Sequence, residues 1–150
     1  MILLFCATLG CAGMYRAGYR NEYIRSQMQG FVHTADFTAL WTTARTMLFE
    51  AGYMVRDSGN GYNVETEWAR TDVDTMRRYL LVGYTNPDGT GSIQFNYVEQ
   101  RSRDGAYPSQ RTGRDYDMEY ELLRRVDLSK WQQIEMDATD YANRRMAERD

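Results

Sequence analysis

Cysteine is nearly missing from this chain of 150 residues, and its two copies, Cys6 and Cys11, both sit at the start. No disulfide can staple the remainder, and no cysteine metal centre can form there. Histidine occurs once, as His33. A histidine-dependent triad or a zinc site of several histidines is therefore excluded from the periodic part of the chain. Lysine also occurs once, as Lys130, so arginine supplies the remaining positive charge. The net charge of −3 argues against a general nucleic-acid binder. Long hydrophobic runs are lacking too. The only apolar stretch is Met1 to Gly13, well short of the about 20 residues that a transmembrane helix needs.

What is present suits one compact α+β domain. Hydrophobic residues make up 43% and charged residues 26%, enough for a core and against global disorder. Tyrosine is over-used, with 12 copies against 5 Phe.

The string Ala7-Thr8-Leu9-Gly10-Cys11-Ala12-Gly13 sets small residues around a cysteine at the end of an apolar run. It resembles the lipobox of bacterial lipoproteins. Thr8 stands where that box usually has Leu, and Met1 to Gly10 contains no Lys or Arg. The resemblance implies cleavage after Gly10 and acylation of Cys11. Ala12 in place of Asp after that cysteine implies the outer membrane, on its periplasmic side. The lipid bilayer is then the first partner. On this reading residues 1–10 are signal peptide, 11–34 a lipid-anchored tether, and 35–150 a single α+β domain.

Within the tether, Tyr15, Tyr19 and Tyr23 recur every four residues, which on a helix makes one stripe. Only Ile24 supports that stripe with an aliphatic side chain. The segment therefore reads as a partly ordered linker, and His33 within it as solvated. The alternative is a helix at the headgroup level of a membrane.

From Asp36, a good N-cap, the residues Phe37, Leu40, Trp41, Ala44, Met47, Leu48 and Ala51 predict a helix ending at Gly52. Tyr53 to Asp57, a turn at Ser58-Gly59-Asn60-Gly61, and the alternation of Tyr62, Val64, Thr66 and Trp68 predict a hairpin. Arg78 to Thr85 and Ser92 to Gln100 predict a second, across the turn Asn86-Pro87-Asp88-Gly89. Residues 101 to 114 read as a surface loop. Residues 115 to 126 carry both strand and helix signals, with helix preferred for the Glu121–Arg125 pairing. Trp131, Ile134, Ala138 and Tyr141 predict a helix over 128 to 146. The expected fold is a four-stranded antiparallel sheet of two hairpins, with an N-terminal helix and C-terminal helices packed on one face. That order of elements resembles the helix-and-sheet domains of accessory lipoproteins in outer-membrane assembly machinery.

Candidate chemistry is sparse. Glu65 and Glu67 share one face of a strand about 7 Å apart, a spacing a glycosidase pair could use, but that face reads as open solvent. Asp72 and Asp74 lack the Gly and closing Glu of a calcium loop. No phosphate loop, metal site or cofactor site is expected, and the chain does not read as an enzyme. One feature stands out: Arg101, Arg103, Arg111 and Arg114 crowd the loop that holds Tyr107. They form a candidate contact surface for an acidic envelope protein or an anionic glycan. Residues 115 to 150 are acidic on balance, so internal pairing of these arginines is the competing expectation.

Overall fold

A computed structural model describes residues 5–56, 61–102 and 107–149, with side chains from residue 12 onward. In chain order the elements are α1 (Phe5–Met28), α2 (Phe37–Glu50), β1 (Val55–Arg56), β2 (Asn63–Thr66), β3 (Ala69–Asp72), β4 (Thr75–Thr85), β5 (Gly91–Arg101), β6 (Ser109–Arg114), α3 (Tyr116–Val126) and α4 (Leu128–Ala147). The fold is α+β with an antiparallel sheet. Among the described residues the sheet has six strands rather than four. The chain also divides into two compact units rather than a tether and one domain. One unit holds residues 32–127, the other 1–31 and 128–150.

The first unit is built on β4. Its eleven residues pair along their whole length with β5. On the other edge of β4, β2 takes Leu80 to Val82 and β3 takes Thr75 to Arg77. These two short strands lie end to end. In the gap between them the Tyr79 N–H donates to the Thr66 hydroxyl at 2.9 Å, so the break leaves no buried orphan donor. β1 closes one edge through Val55 and Arg56, and β6 closes the other. The expected loop over 101 to 114 is therefore mostly a hairpin, β5 to β6.

Alternation decides which face is buried. Tyr79 and Leu81 of β4 and Ile93 and Phe95 of β5 are buried under α2 and α3, while Leu80 and Tyr84 lie on the opposite face. α2 forms as its periodicity predicts. Asp36 accepts the N–H groups of Thr38 and Ala39 at 3.0 and 3.1 Å, and Phe37, Leu40, Trp41, Ala44, Met47 and Leu48 face the sheet. The first turn comes very close. A Cβ at Gly91 would lie 2.4 Å from the Phe37 ring, and one at Gly83 2.7 Å from it, so either side chain would drive α2 off the sheet. α3 starts at its cap Asp115, which accepts the Met118 N–H at 3.1 Å, and buries Leu122 and Leu123. Helix thus wins over strand at 115 to 126. The expected Glu121–Arg125 pair is present at 2.9 Å, and Arg125 also reaches Glu50 of α2 at 2.6 Å.

Three aromatic placements differ from expectation. Trp68 falls just past β2, is 37% exposed, and stacks under the Arg78 guanidinium at 5.1 Å. Tyr62 is 40% exposed, although its ring edge meets Phe37 and Trp41. Trp131 is only half-buried. His33 moves the other way. It is buried, and its N–H donates to the Gly91 carbonyl at 2.8 Å. Burial pushes its pKa down to about 4, against the opposing pull of Asp127. The expected turn at 58 to 61 lies largely outside the described residues.

In the second unit α1 and α4 pair. The expected linker is helical through Met28, and α4 joins α1, leaving α3 as the C-terminal helix of the sheet unit. The tyrosine stripe is the seam. Tyr23 meets Tyr141 at 5.4 Å, Arg145 lies over Tyr19 at 5.2 Å, and Arg149 lies over Tyr15 at 3.7 Å. Both series step by four residues in opposite directions, as an antiparallel helix pair requires. Arg20 adds an ion pair to Glu135, and Ile24, Met28, Ile134, Ala138 and Ala142 are buried. Among the described residues no helix is long and apolar enough to cross a membrane.

Candidate functional site

Register places the arginine cluster on β5 and β6. Thr75, Arg101 and Ser109 form one cross-strand row; Arg77, Glu99 and Arg111 the next; Tyr79, Tyr97 and Gly113 a third. All lie on the face that carries α2 and α3, at the end of the sheet away from Phe37 and Gly91. Here the apolar layer gives way to a polar one.

The middle row is tied together. Arg77 donates to Glu99 at 2.7 Å and to the Tyr79 hydroxyl at 3.3 Å, and its guanidinium covers the Tyr97 ring at 4.7 Å. The Tyr79 hydroxyl donates to Asp115 at 2.5 Å. Burial, together with that bond to a carboxylate, pushes the Tyr79 pKa up. Arg77 holds Glu99 through Oε2 alone, and Arg111, the direct cross-strand neighbour of Glu99, is exposed and makes no ion pair among the described residues. Arg101 is held loosely, with Nε 3.4 Å from the Thr75 hydroxyl and 3.9 Å from Asp74. Tyr107, between the two strands, is 99% exposed.

Arg114 belongs elsewhere. It grips Glu119 through two bonds of 2.7 Å and lies over the Tyr116 ring at 5.0 Å. Glu119 is buried and also accepts the Phe95 N–H at 3.2 Å. Its carboxyl pKa is raised by burial, with Arg114 pulling it down. Arg114 therefore serves the joint between the sheet and α3 and is removed from the contact surface. Arg103 lies outside the described residues, as does the side chain of Cys11, whose backbone falls within α1. The surface keeps Arg101, Arg111 and Tyr107. Sequence reasoning missed Arg77 and Glu99. The period-two spacing from Tyr79 back to Arg77, and from Tyr97 on to Glu99, marks them as same-face neighbours.

The carboxylates considered for hydrolysis are separately neutralised. Glu65 pairs with Arg78 at 3.4 Å and Glu67 with Arg56 at 3.1 Å. Asp72 accepts the Val73 N–H and Asp74 the Thr75 hydroxyl, which is turn chemistry. Among the described residues no three His, Cys, Asp or Glu side chains gather to hold a metal. A groove of about 430 Å³ runs between α2 and β1, lined by Trp41, Arg45, Phe49 and Met54. Comparison of the chain with family models, with curated proteins and with solved structures returns no match in any of the three.

Proposed function

We propose that this chain is a lipid-anchored protein of the bacterial envelope, acylated at Cys11 and held at the periplasmic side of the outer membrane. In this reading it works without catalysis, as an adaptor or assembly component. The observation that carries it is the string Leu9-Gly10-Cys11-Ala12 at the end of an apolar run. The fold suits the role. Cys11 lies one helical turn before Tyr15, the residue of α1 that seats on Arg149, so acyl chains there would tether a stiff helix pair rather than a loose linker. Arg101, Arg111 and Tyr107 offer an exposed cationic and aromatic surface for an acidic partner.

Metabolic labelling with a fatty acid tests the anchor. The wild-type chain should take up label, and its mature mass should begin at Cys11. Cys11→Ser should remain unlabelled and uncleaved. Equal labelling of both overturns the anchor.

A further inference from the structure

The outer edge of β6 is an open template. The Asp115 N–H donates to the Phe95 carbonyl at 2.7 Å, one step beyond the pair Asn96↔Arg114. Hydrogen-bonded pairs alternate along an antiparallel ladder. The residues that exchange bonds with β5 are therefore Ser109, Arg111 and Gly113. Gln110 and Thr112 turn their N–H and C=O groups away from the sheet. Both residues are exposed, and among the described residues those outward groups make no hydrogen bond.

Edges of this kind are usually blunted by proline, bulges, charge or shortness. The opposite side is blunted, since β1 has two residues and β3, which also lies at that edge, has four with a break in register. β6 has six, pairs in unbroken register, and contains no proline. The strand contains no acid, and with Arg114 neutralised by Glu119 its exposed charge is the positive one of Arg111. Pairing of β6 with β6 of a second copy would set like charges side by side. An acidic strand would meet Arg111, which is exposed and makes no ion pair among the described residues, while Arg77 binds its cross-strand neighbour Glu99.

We propose that β6 docks an extended acidic segment of a partner protein by strand addition, with a partner carboxylate set against Arg111. The main chain of Gln110 and Thr112 supplies the hydrogen bonds, and the side chains supply the selection. Gly113 shapes the next position. The Tyr97 ring lies across it, and a Cβ there would come within 2.5 Å of the Tyr97 hydroxyl. A partner residue beside Gly113 therefore meets an aromatic ring edge, so the recognised pattern is an acid two residues from an apolar side chain. This deepens the adaptor reading and rests on it, but not on the lipid anchor.

The test uses the full chain and a probe peptide of about eight residues alternating glutamate and valine, long enough to span the strand. A lysine–valine peptide is the control. The glutamate peptide should bind and slow amide exchange at Gln110 and Thr112. Thr112→Pro removes only an outward donor, so it should weaken binding by about tenfold, the loss of one good hydrogen bond, without lowering the melting temperature. Arg111→Glu should transfer preference to the lysine peptide, which keeps the test valid even if the proline variant unfolds. Thr112→Pro binding as tightly as wild type would mean charge attraction alone, as for an anionic glycan, and overturns strand addition. Protection of both amides that grows with protein concentration and without peptide would assign the edge to a second copy and overturn the acidic partner. Cys11 labelling is read separately: loss of label with peptide binding intact overturns the anchor and leaves the docking edge standing.

Discussion

In the sheet unit, Leu81, Phe95 and Leu122 are wholly buried and α2 lies on them through an unbroken apolar face. Among the described residues the helix pair buries Ile24, Met28, Ile134, Ala138 and Ala142, and along its seam it adds contacts of tyrosine, arginine and glutamate. The two regions thus depend on different forces. Removal of apolar surface from water is not screened by salt and is cooperative through close packing. Exposed cation–π and ion-pair contacts are worth less each and weaken as salt rises. A helix pair held in part by such contacts can loosen while the sheet unit stays folded, and the sheet unit cannot lose its core without unfolding entirely.

The strongest way to break that contrast is in the core. Phe95 is fully buried, between Leu81 of β4 and the start of α3. Phe95→Ala should cost about 3–5 kcal/mol, and Trp41→Ala a similar amount, read by denaturant titration of the full chain. A loss below about 0.5 kcal/mol in either would place that residue on the surface instead.

Next in size is the effect of acid. His33 has its pKa lowered from 6.5 to about 4 by burial. Its contribution is fully present above pH 6.5 and is lost as pH falls toward 4, because the unfolded chain binds the proton first. The expected loss across that window is about 3 kcal/mol. His33→Gln should flatten the slope of stability against pH between 6.5 and 4. Parallel slopes for wild type and variant would show that the imidazole titrates freely in the fold. Glu119 has the opposite sign. Its pKa is raised, so it favours the folded state at low pH and ceases to do so as pH rises through its folded value.

How much of this was readable beforehand depended on where apolar side chains fall. α2 and α4 announce themselves through periodic apolar residues, α2 with its cap Asp36 as well, whereas α3 carries strand alternation beside its Glu121–Arg125 pairing, and its cap Asp115 was not recognised. β4 and β5 show through alternation. β6, Ser-Gln-Arg-Thr-Gly-Arg, has no apolar residue at all. Its pairing comes from the main chain and from the length of β5, which no side-chain pattern reports. β3, Ala-Arg-Thr-Asp, has a single apolar residue, Ala69, too few to show a period. α1 was visible as a tyrosine stripe, but its partners are Tyr141 and Arg145 of α4 and Arg149 just past it, so hydrophobic periodicity could not pair them. His33 was misplaced because its burial follows from a main-chain bridge to Gly91, 58 residues away in a turn-rich stretch. Of the arginine surface, the residues were legible and the division between them was not: it depends on which carboxylate each arginine reaches.

The helix seam offers a smaller effect. Tyr141→Ala removes the ring contact with Tyr23 and should cost about 0.5–1.5 kcal/mol beyond lost area. Arg145→Gln should cost about 0.5–1 kcal/mol at low salt and less at high salt. Salt-independent costs for Arg145→Gln would mean that its stem packing, rather than its charge over Tyr19, holds the pair.

The finest comparison lies within the arginine cluster itself. Arg114 is gripped by a buried carboxylate, and Arg111, three residues earlier, is not. Arg114→Gln leaves Glu119 buried beside the Phe95 N–H without its counter-ion, and should cost about 1–3 kcal/mol, as a buried charge-assisted bond does. Arg111→Gln and Arg101→Gln should each stay within about 0.5 kcal/mol, because the side chains are exposed and either unpaired or weakly paired. The three melting curves separate the joint from the contact surface without reference to any partner. A destabilisation by Arg111→Gln as large as that by Arg114→Gln would show that Arg111 shares Glu99 with Arg77 in solution. That would remove the free charge on which recognition of an acidic strand depends.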